Sequence, residues 1–214
     1  MKHIKTFVLG VLFFLCVGNL SAKSTKQLEL STGAHYYTDE NSLIGDTPLV
    51  TEDIAVNFGL SLVFMWRHVG FAEYCNFFFP IQRTIGGTKE FSNRDYLYAV
   101  GVDSLLAFVI KIVDKPKFKM PLALGLHVTS YITSLKDNSE NQILTGLGVG
   151  GNLSFEFFPR SSFYLFLKAQ ASYDLFGMVD KNLLDDAGEK QEVHEVGRIQ
   201  SFWISPAIGI GFSF

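Results

Sequence analysis

Ile204-Ser205-Pro206-Ala207-Ile208-Gly209-Ile210-Gly211-Phe212-Ser213-Phe214 closes the chain, and its alternation decides the fold. Ile204, Ile208, Ile210, Phe212 and Phe214 share one parity, while Ser205, Ala207, Gly209, Gly211 and Ser213 share the other. Side chains alternate sides along a strand, so an apolar face backs onto a face of small residues. The stretch predicts a strand with an aromatic end.

At the opposite end, Met1 to Ala22 has a basic start (Lys2, Lys5), an apolar run from Phe7 to Val17 and the polar Asn19-Leu20-Ser21-Ala22. This is the layout of a cleaved secretory signal, with residues 23–214 as the expected mature domain. A retained membrane helix is the alternative, but the run falls short of the ~20 apolar residues a span needs. Cys16 follows Leu15, where lipid attachment wants a small residue. Cys75 is then the only mature cysteine, so no internal disulfide is expected in an exported fold. The net charge of −3 and the scattered Lys and Arg give no sign of nucleic acid. Mean hydropathy is high at +0.21, yet the best internal apolar run, Leu105 to Val113, is too short for a helical span and contains Lys111.

Alternation recurs throughout the rest. Leu28, Leu30, Thr32, Ala34 and Tyr36 begin it, followed by Ile54 to Phe64, a less regular Val69 to Phe79, Tyr96 to Ile112, Phe118 to Val128, Ile143 to Phe157 and Phe163 to Tyr173. With a last strand from about Val196 the count is eight. Short turns (Met65 to His68, Val113 to Lys117, Phe158 to Ser161) alternate with longer polar loops (Thr38 to Asp53, Pro80 to Asp95, Ser134 to Asn141, Gly177 to Glu195). Outer-membrane barrels have short periplasmic turns and longer outer loops. An even strand count puts both mature ends on the periplasmic side.

The structural rival is a soluble lipocalin-type barrel, with the apolar face inward and the other face in water. Such a surface would be rich in Lys and Glu. The polar face here is mainly Gly, Ala, Ser, Asn and Gln, as the inside of a narrow barrel requires. Aromatics near strand ends (Tyr36, Tyr37, Trp66, Tyr96, Tyr98, Phe157, Phe158, Tyr173, Phe202, Trp203, Phe214) are read as interfacial girdles. The expected fold is therefore all-β: a membrane-spanning, eight-stranded, antiparallel up-and-down barrel.

Ser205 to Phe214, with Ile208, Ile210, Phe212 and Phe214 on one face, resembles the C-terminal assembly signal of bacterial outer-membrane proteins. The mature chain as a whole resembles the small eight-stranded barrels of the OmpA, OmpX and OmpW type. That resemblance implies residence in the outer membrane of a diderm bacterium, contact with its lipid, and insertion by the barrel-assembly machinery. Unlike OmpA, the sequence leaves no room for a peptidoglycan-binding domain after its last strand.

Several constellations bear on chemistry. Gly146-Leu147-Gly148-Val149-Gly150-Gly151 matches the dinucleotide fingerprint in form, but it continues into a strand where the fingerprint needs a helix. Asp103 and His127 share the inner face; a tight turn pairing Ile112 with Phe118 would set them directly opposite each other. They could form a proton-sensitive gate, half of a hydrolytic dyad or a stiffening polar pair. Some eight-stranded barrels are lipid A deacylases with His and Ser two residues apart; here the spacing gives His127-Val128-Thr129, so no enzyme is expected. The luminal polar set is Asn57, Asp103, His127, Asn152, Glu156, Lys168, Gln170 and Asp174, a hydrogen-bonded plug or a thin wet path. Glu73 falls on the lipid-facing parity, and a bulge turning it inward is the expected remedy. Asp180, Asp185, Asp186, Glu189, Glu192 and Glu195 with Lys181 and Lys190 read as a solvated loop without the close alternate spacing calcium wants. His194-Glu195 makes no zinc motif.

The expectation is a monomer without cofactor or metal. Two functions compete: a narrow conduit for small or apolar solutes, as the OmpW resemblance implies, or a surface structural or adhesive protein meeting an extracellular ligand through its loops.

Overall fold

A computed structural model describes residues 24–39, 51–85, 88–92, 96–136, 140–184, 190–197 and 200–214. The predicted export signal, Asp185, Asp186 and Glu189 lie outside them. Period-two sequence becomes strand almost everywhere: β1 (Thr25–Asp39), β2 (Thr51–Trp66), β3 (Val69–Ile85), β4 (Thr88–Ser92), β5 (Tyr96–Lys115), β6 (Phe118–Leu135), β7 (Glu140–Arg160), β8 (Phe163–Leu184), β9 (Lys190–Gly197) and β10 (Ser201–Ser213). β4 pairs with the outer part of β3, and β9 with the outer part of β8. Each is thus the outward continuation of the stave that follows it, and the ten strands build eight staves.

All neighbouring pairs are antiparallel, and β1 closes on β10 from Gln27–Ser213 to Asp39–Ser201. Following the pairs once round from Leu28 gives Leu62, Glu73, Leu106, Leu126, Val149, Tyr173, Phe202 and then Thr38, ten residues further along β1. That stagger inclines eight staves by about 40° and gives a cylinder of about 8 Å radius, narrow enough for side chains to fill.

The polarity is inside out. Leu124, Leu126 and Ile208 stand 63, 58 and 59% exposed on the outer wall, whereas Asp103, His127 and Asp174 are 0% exposed within. Water would penalise such a wall by roughly 25 cal/mol per Å² of apolar surface; acyl chains do not. Glycines on the inner parity make room for rings. A Cβ on Gly101 would overlap Phe78, one on Gly209 would overlap Phe166, and one on Gly211 would overlap Tyr164. The small face of the closing strand is therefore a seat for two aromatic side chains of β8.

The short turns are tight. Arg67 and His68 alone join β2 to β3, and Arg67 takes a left-handed φ of 57°. Glycine or asparagine usually fills such a position, and an arginine there costs about 1 kcal/mol.

Three expectations need correction. Glu73 is not turned inward: β3 pairs without a shift from Val69 to Phe79 against β2 and from Val69 to Phe78 against β5, so Glu73 stays on the outer face between Leu62 and Leu106. Tyr37, Phe158 and Trp203 are not girdle residues. They lie on inner parities and are 2, 6 and 1% exposed. The long outer loops are partly ladder: β3 with β4 and β8 with β9 carry hairpin pairing into Pro80 to Asp95 and Gly177 to Glu195. β8 outlasts the apolar band, which ends near Leu175, by nine residues to Leu184, about 20 Å of projecting ribbon.

Candidate functional site

The lumen is packed in tiers. Outermost is an aromatic tier in which Phe78 stacks on His35 at 4.2 Å, and Trp203 lies 4.0 Å from Tyr37 and 5.5 Å from Phe78. At its rim Arg83 forms a two-pronged bond with Asp53, Nε to Oδ1 at 2.8 Å and Nη2 to Oδ2 at 2.7 Å, and its guanidinium sits 5.3 Å from the Tyr131 ring.

Beneath lies the charged tier. Inner parity on β5, β6 and β8 delivers Asp103, His127 and Asp174 to one level. His127 Nε2 meets Asp103 Oδ1 at 2.9 Å and Nδ1 meets Asp174 Oδ1 at 2.6 Å. Only a protonated ring can donate on both sides at once. Gln170 Nε2 donates to Asp103 Oδ1 at 2.8 Å, Trp203 Nε1 donates to Asp174 Oδ2 at 2.7 Å, and Asn76 Nδ2 donates to Gln170 Oε1 at 3.2 Å. Both carboxylates thus have two or more donors, as buried charge requires.

A third tier sits nearer the short turns. Lys168 Nζ donates to Ser61 Oγ at 3.0 Å and lies 4.0 Å from Glu29 Oε2, and Tyr164 OH donates to Glu29 Oε1 at 3.0 Å. Phe158, stacked on Tyr164 at 4.7 Å, closes the base with Phe166, and Lys119 Nζ sits 4.0 Å over the Phe158 ring.

Of the residues read from sequence, Asp103, His127, Gln170 and Asp174 come together in one network, and Lys168 enters the tier below. Asn57, Asn152 and Glu156 stand outside both: Asn57 Nδ2 donates to the Ala34 carbonyl at 3.0 Å, Asn152 Oδ1 accepts from Ser154 at 3.1 Å, and Glu156 faces Lys119 across the β6–β7 ladder. Ile208, Ile210 and Phe212 line the outer wall of β10, and Phe214, just beyond it, is also exposed.

Asp103 and His127 meet diagonally instead of directly. Asp103 pairs with Thr129 and Leu105 with His127, because a register shift between Lys111 and Val113 and a turn of only Pro116 and Lys117 slide the hairpin by two residues from the expected Ile112–Phe118 pairing. Sequence reasoning misses Asn76, Glu29 and Tyr164, although their parities mark them as inner, and it places Trp203 in the girdle instead of the lumen. A further pair, His35 Nδ1 and Ser205 Oγ at 2.5 Å, brings a base beside a hydroxyl. Both residues are buried, at 1 and 2% exposure. Thr129, the candidate nucleophile two residues from His127, instead donates to the Val102 carbonyl at 3.3 Å. On the projecting ribbon, His194 Nδ1 contacts Asp180 Oδ1.

No family model and no curated protein matches the sequence. Among solved structures the chain is similar to a major outer membrane protein from Thermus thermophilus, at 11% identity over 89% of this chain and 99% of that one, with a TM-score of 0.58. It is similar to Neisserial surface protein A at 13% identity over 87% and 97%, with a TM-score of 0.54. It is also similar to the outer membrane protein AlkL, determined in lipid bilayers, at 12% identity over 92% and 93%, with a TM-score of 0.51. At these identities the likeness is one of fold, and it agrees with the small outer-membrane barrels that the sequence resembles.

Proposed function

We propose that the chain is an integral outer-membrane barrel whose bore is sealed by its own side chains, and which acts at the cell surface through the strand ribbon above the bilayer. The observation that carries this reading is the wall-to-wall bracing of the lumen. His127 on β6 joins Asp103 on β5 to Asp174 on β8, Gln170 on β8 reaches Asp103, and Lys168 on β8 reaches Ser61 on β2. A solute would have to part these charged groups from their partners, at several kcal/mol each. The projecting parts of β7, β8 and β9 offer instead a stiff platform. Neisserial surface protein A, similar in fold, is by its name a surface protein.

The rest of the reading follows the export logic. Residues 1–22 direct secretion and are removed, the barrel-assembly machinery recognises Ile208, Ile210, Phe212 and Phe214, and outer-membrane lipid is the permanent solvent. No catalytic role is assigned: His127 has a carboxylate on each nitrogen, and the His35–Ser205 pair is cut off from solvent.

Single-channel recording on refolded protein in planar bilayers tests the proposal. Electrical silence is expected. Discrete openings that change when Lys168→Met or Glu156→Gln is introduced would restore the conduit. In parallel, binding of labelled protein to host-cell or matrix surfaces should fall when 178–195 is replaced by a two-residue turn.

A further inference from the structure

We propose that the periplasmic rim is a binding belt for anionic phospholipid headgroups of the inner leaflet. This rests on the outer-membrane reading above, which sets the short turns toward the periplasm. Lys26 begins β1, Arg67 sits in the β2–β3 turn, Lys115 and Lys117 flank Pro116 between β5 and β6, and Arg160 ends β7. Arg67, Lys115, Lys117 and Arg160 are exposed and Lys26 half-buried. Among the described residues, none of the five side chains is paired with an Asp or Glu, and the terminal carboxylate of Phe214 is engaged by the Lys26 backbone at 3.0 Å. The one acidic side chain of that rim, Asp114, is already engaged, 3.5 Å from His68 and 3.7 Å from Lys111.

Four of the five cations stand opposite or next to an outward aromatic at the end of the wall. Lys26 pairs with Phe64, Lys115 with Phe118, and Arg160 with Phe163, while Arg67 directly follows Trp66. These rings meet others along the wall: Trp66 with Phe71 at 5.9 Å, Phe118 with Phe157 at 5.3 Å, and Phe163 with Phe212 at 5.6 Å. Aromatic rings of this kind mark the boundary between acyl chains and headgroups. A cation just past it lies at phosphate depth, its stem along the apolar wall and its head in water. Arginine at the left-handed position of the first turn, where a smaller residue would be relaxed, fits a side chain kept for its charge.

The belt form argues for lipid. The cations occupy β1 and all three short turns, so they encircle the barrel, whereas a wall polymer or an acidic protein would meet a patch on one side. The first and last outer connections carry an excess of acid, with Glu40, Asp46 and Glu52 in the first and Asp180, Asp185, Asp186, Glu189, Glu192 and Glu195 against Lys181 and Lys190 in the last. The excess of unpaired basic charge thus lies at the short-turn rim, where anionic lipid is drawn.

The test is native mass spectrometry of the refolded chain in detergent with equal dioleoylphosphatidylglycerol and dioleoylphosphatidylcholine. Retained phosphatidylglycerol should exceed phosphatidylcholine by about tenfold or more, since each basic residue near an anionic surface contributes roughly fivefold. The combined variant K26Q, R67N, K115Q, K117Q and R160Q should bring the ratio to about one, and K136Q, K181Q and K190Q on the outer side should leave it unchanged. The pair R67N and R160Q, a milder change, should bring it to a value between the parent's ratio and one. Equal retention of both lipids by a parent whose gel migration shifts on boiling overturns the belt and leaves the barrel reading standing. A parent with no such shift overturns the barrel reading itself. Sedimentation with purified peptidoglycan sacculi, lost in the combined variant and unaccompanied by any lipid preference, would overturn it in favour of a wall contact.

Discussion

Glu73→Leu should make this protein more stable. The side chain is on the outer wall, the one acid in the circuit of outward residues that runs from Leu28 through Leu62 and Leu106 to Phe202. Staves inclined by about 40° rise about 2.5 Å per residue. Glu73 is four residues beyond Val69 at the short-turn edge, so it lies about 10 Å into an apolar band about 25 Å tall, a little short of the midplane. An acid at that depth costs about 1–3 kcal/mol, and leucine adds the favourable transfer of its own side chain. Urea titration of protein refolded into phosphatidylcholine vesicles, followed by tryptophan fluorescence, measures the difference. With a slope of about 2 kcal/mol per molar urea, the midpoint should rise by about 1 M. Glu73→Gln should recover part of the gain, which separates charge from shape. A fall in midpoint for both variants would refute the reasoning, for it would mean that Glu73 has a partner in the folded protein or points into the lumen.

Other outcomes follow from the lumen. Removing the cation between two acids, by His127→Leu, leaves Asp103 and Asp174 without it and should cost about 3–5 kcal/mol in the same titration, with much of the loss recovered by adding Asp103→Asn and Asp174→Asn. Arg83→Ala strands the buried Asp53 carboxylate and should cost about 3–5 kcal/mol, and Arg83→Lys clearly less, since it keeps the charge and loses only the two-pronged geometry. Gly101→Val drives a side chain into Phe78 and should cost about 1–3 kcal/mol; Phe78→Ala, which opens the space, should make the second change nearly silent.

The strands were legible because a barrel wall enforces period two on nearly every residue, and the turns because tight connections concentrate polar residues and proline. Parity also placed Asp103, His127, Lys168 and Asp174 inside. Tyr37, Phe158 and Trp203 lie near strand ends, but parity and not position along the strand decides facing, and it marks all three as inner. Glu73 obeys parity as well. The expected bulge would have relieved an energetic cost, and the ladder simply carries it. The register of the β5–β6 hairpin depended on one extra residue near Ile112, which no alternation announces. Contacts across the bore, such as Gln170 to Asp103 or Lys168 to Ser61, follow from the ten-residue stagger on closure, a global quantity that local pattern does not encode.

Tyr164 and Glu29 are 135 positions apart, and Lys168 and Ser61 are 107 apart. While the seam between β1 and β10 gapes, those partners face water and one another's absence, and the inner surface of the curling sheet stays wet. Joining the first stave to the last expels that water and brings the distant partners within reach together. Assembly therefore has an abrupt final act: a chain is either an open trough with a hydrated hollow or a finished, dry-hearted cylinder, and few halfway forms lie between them.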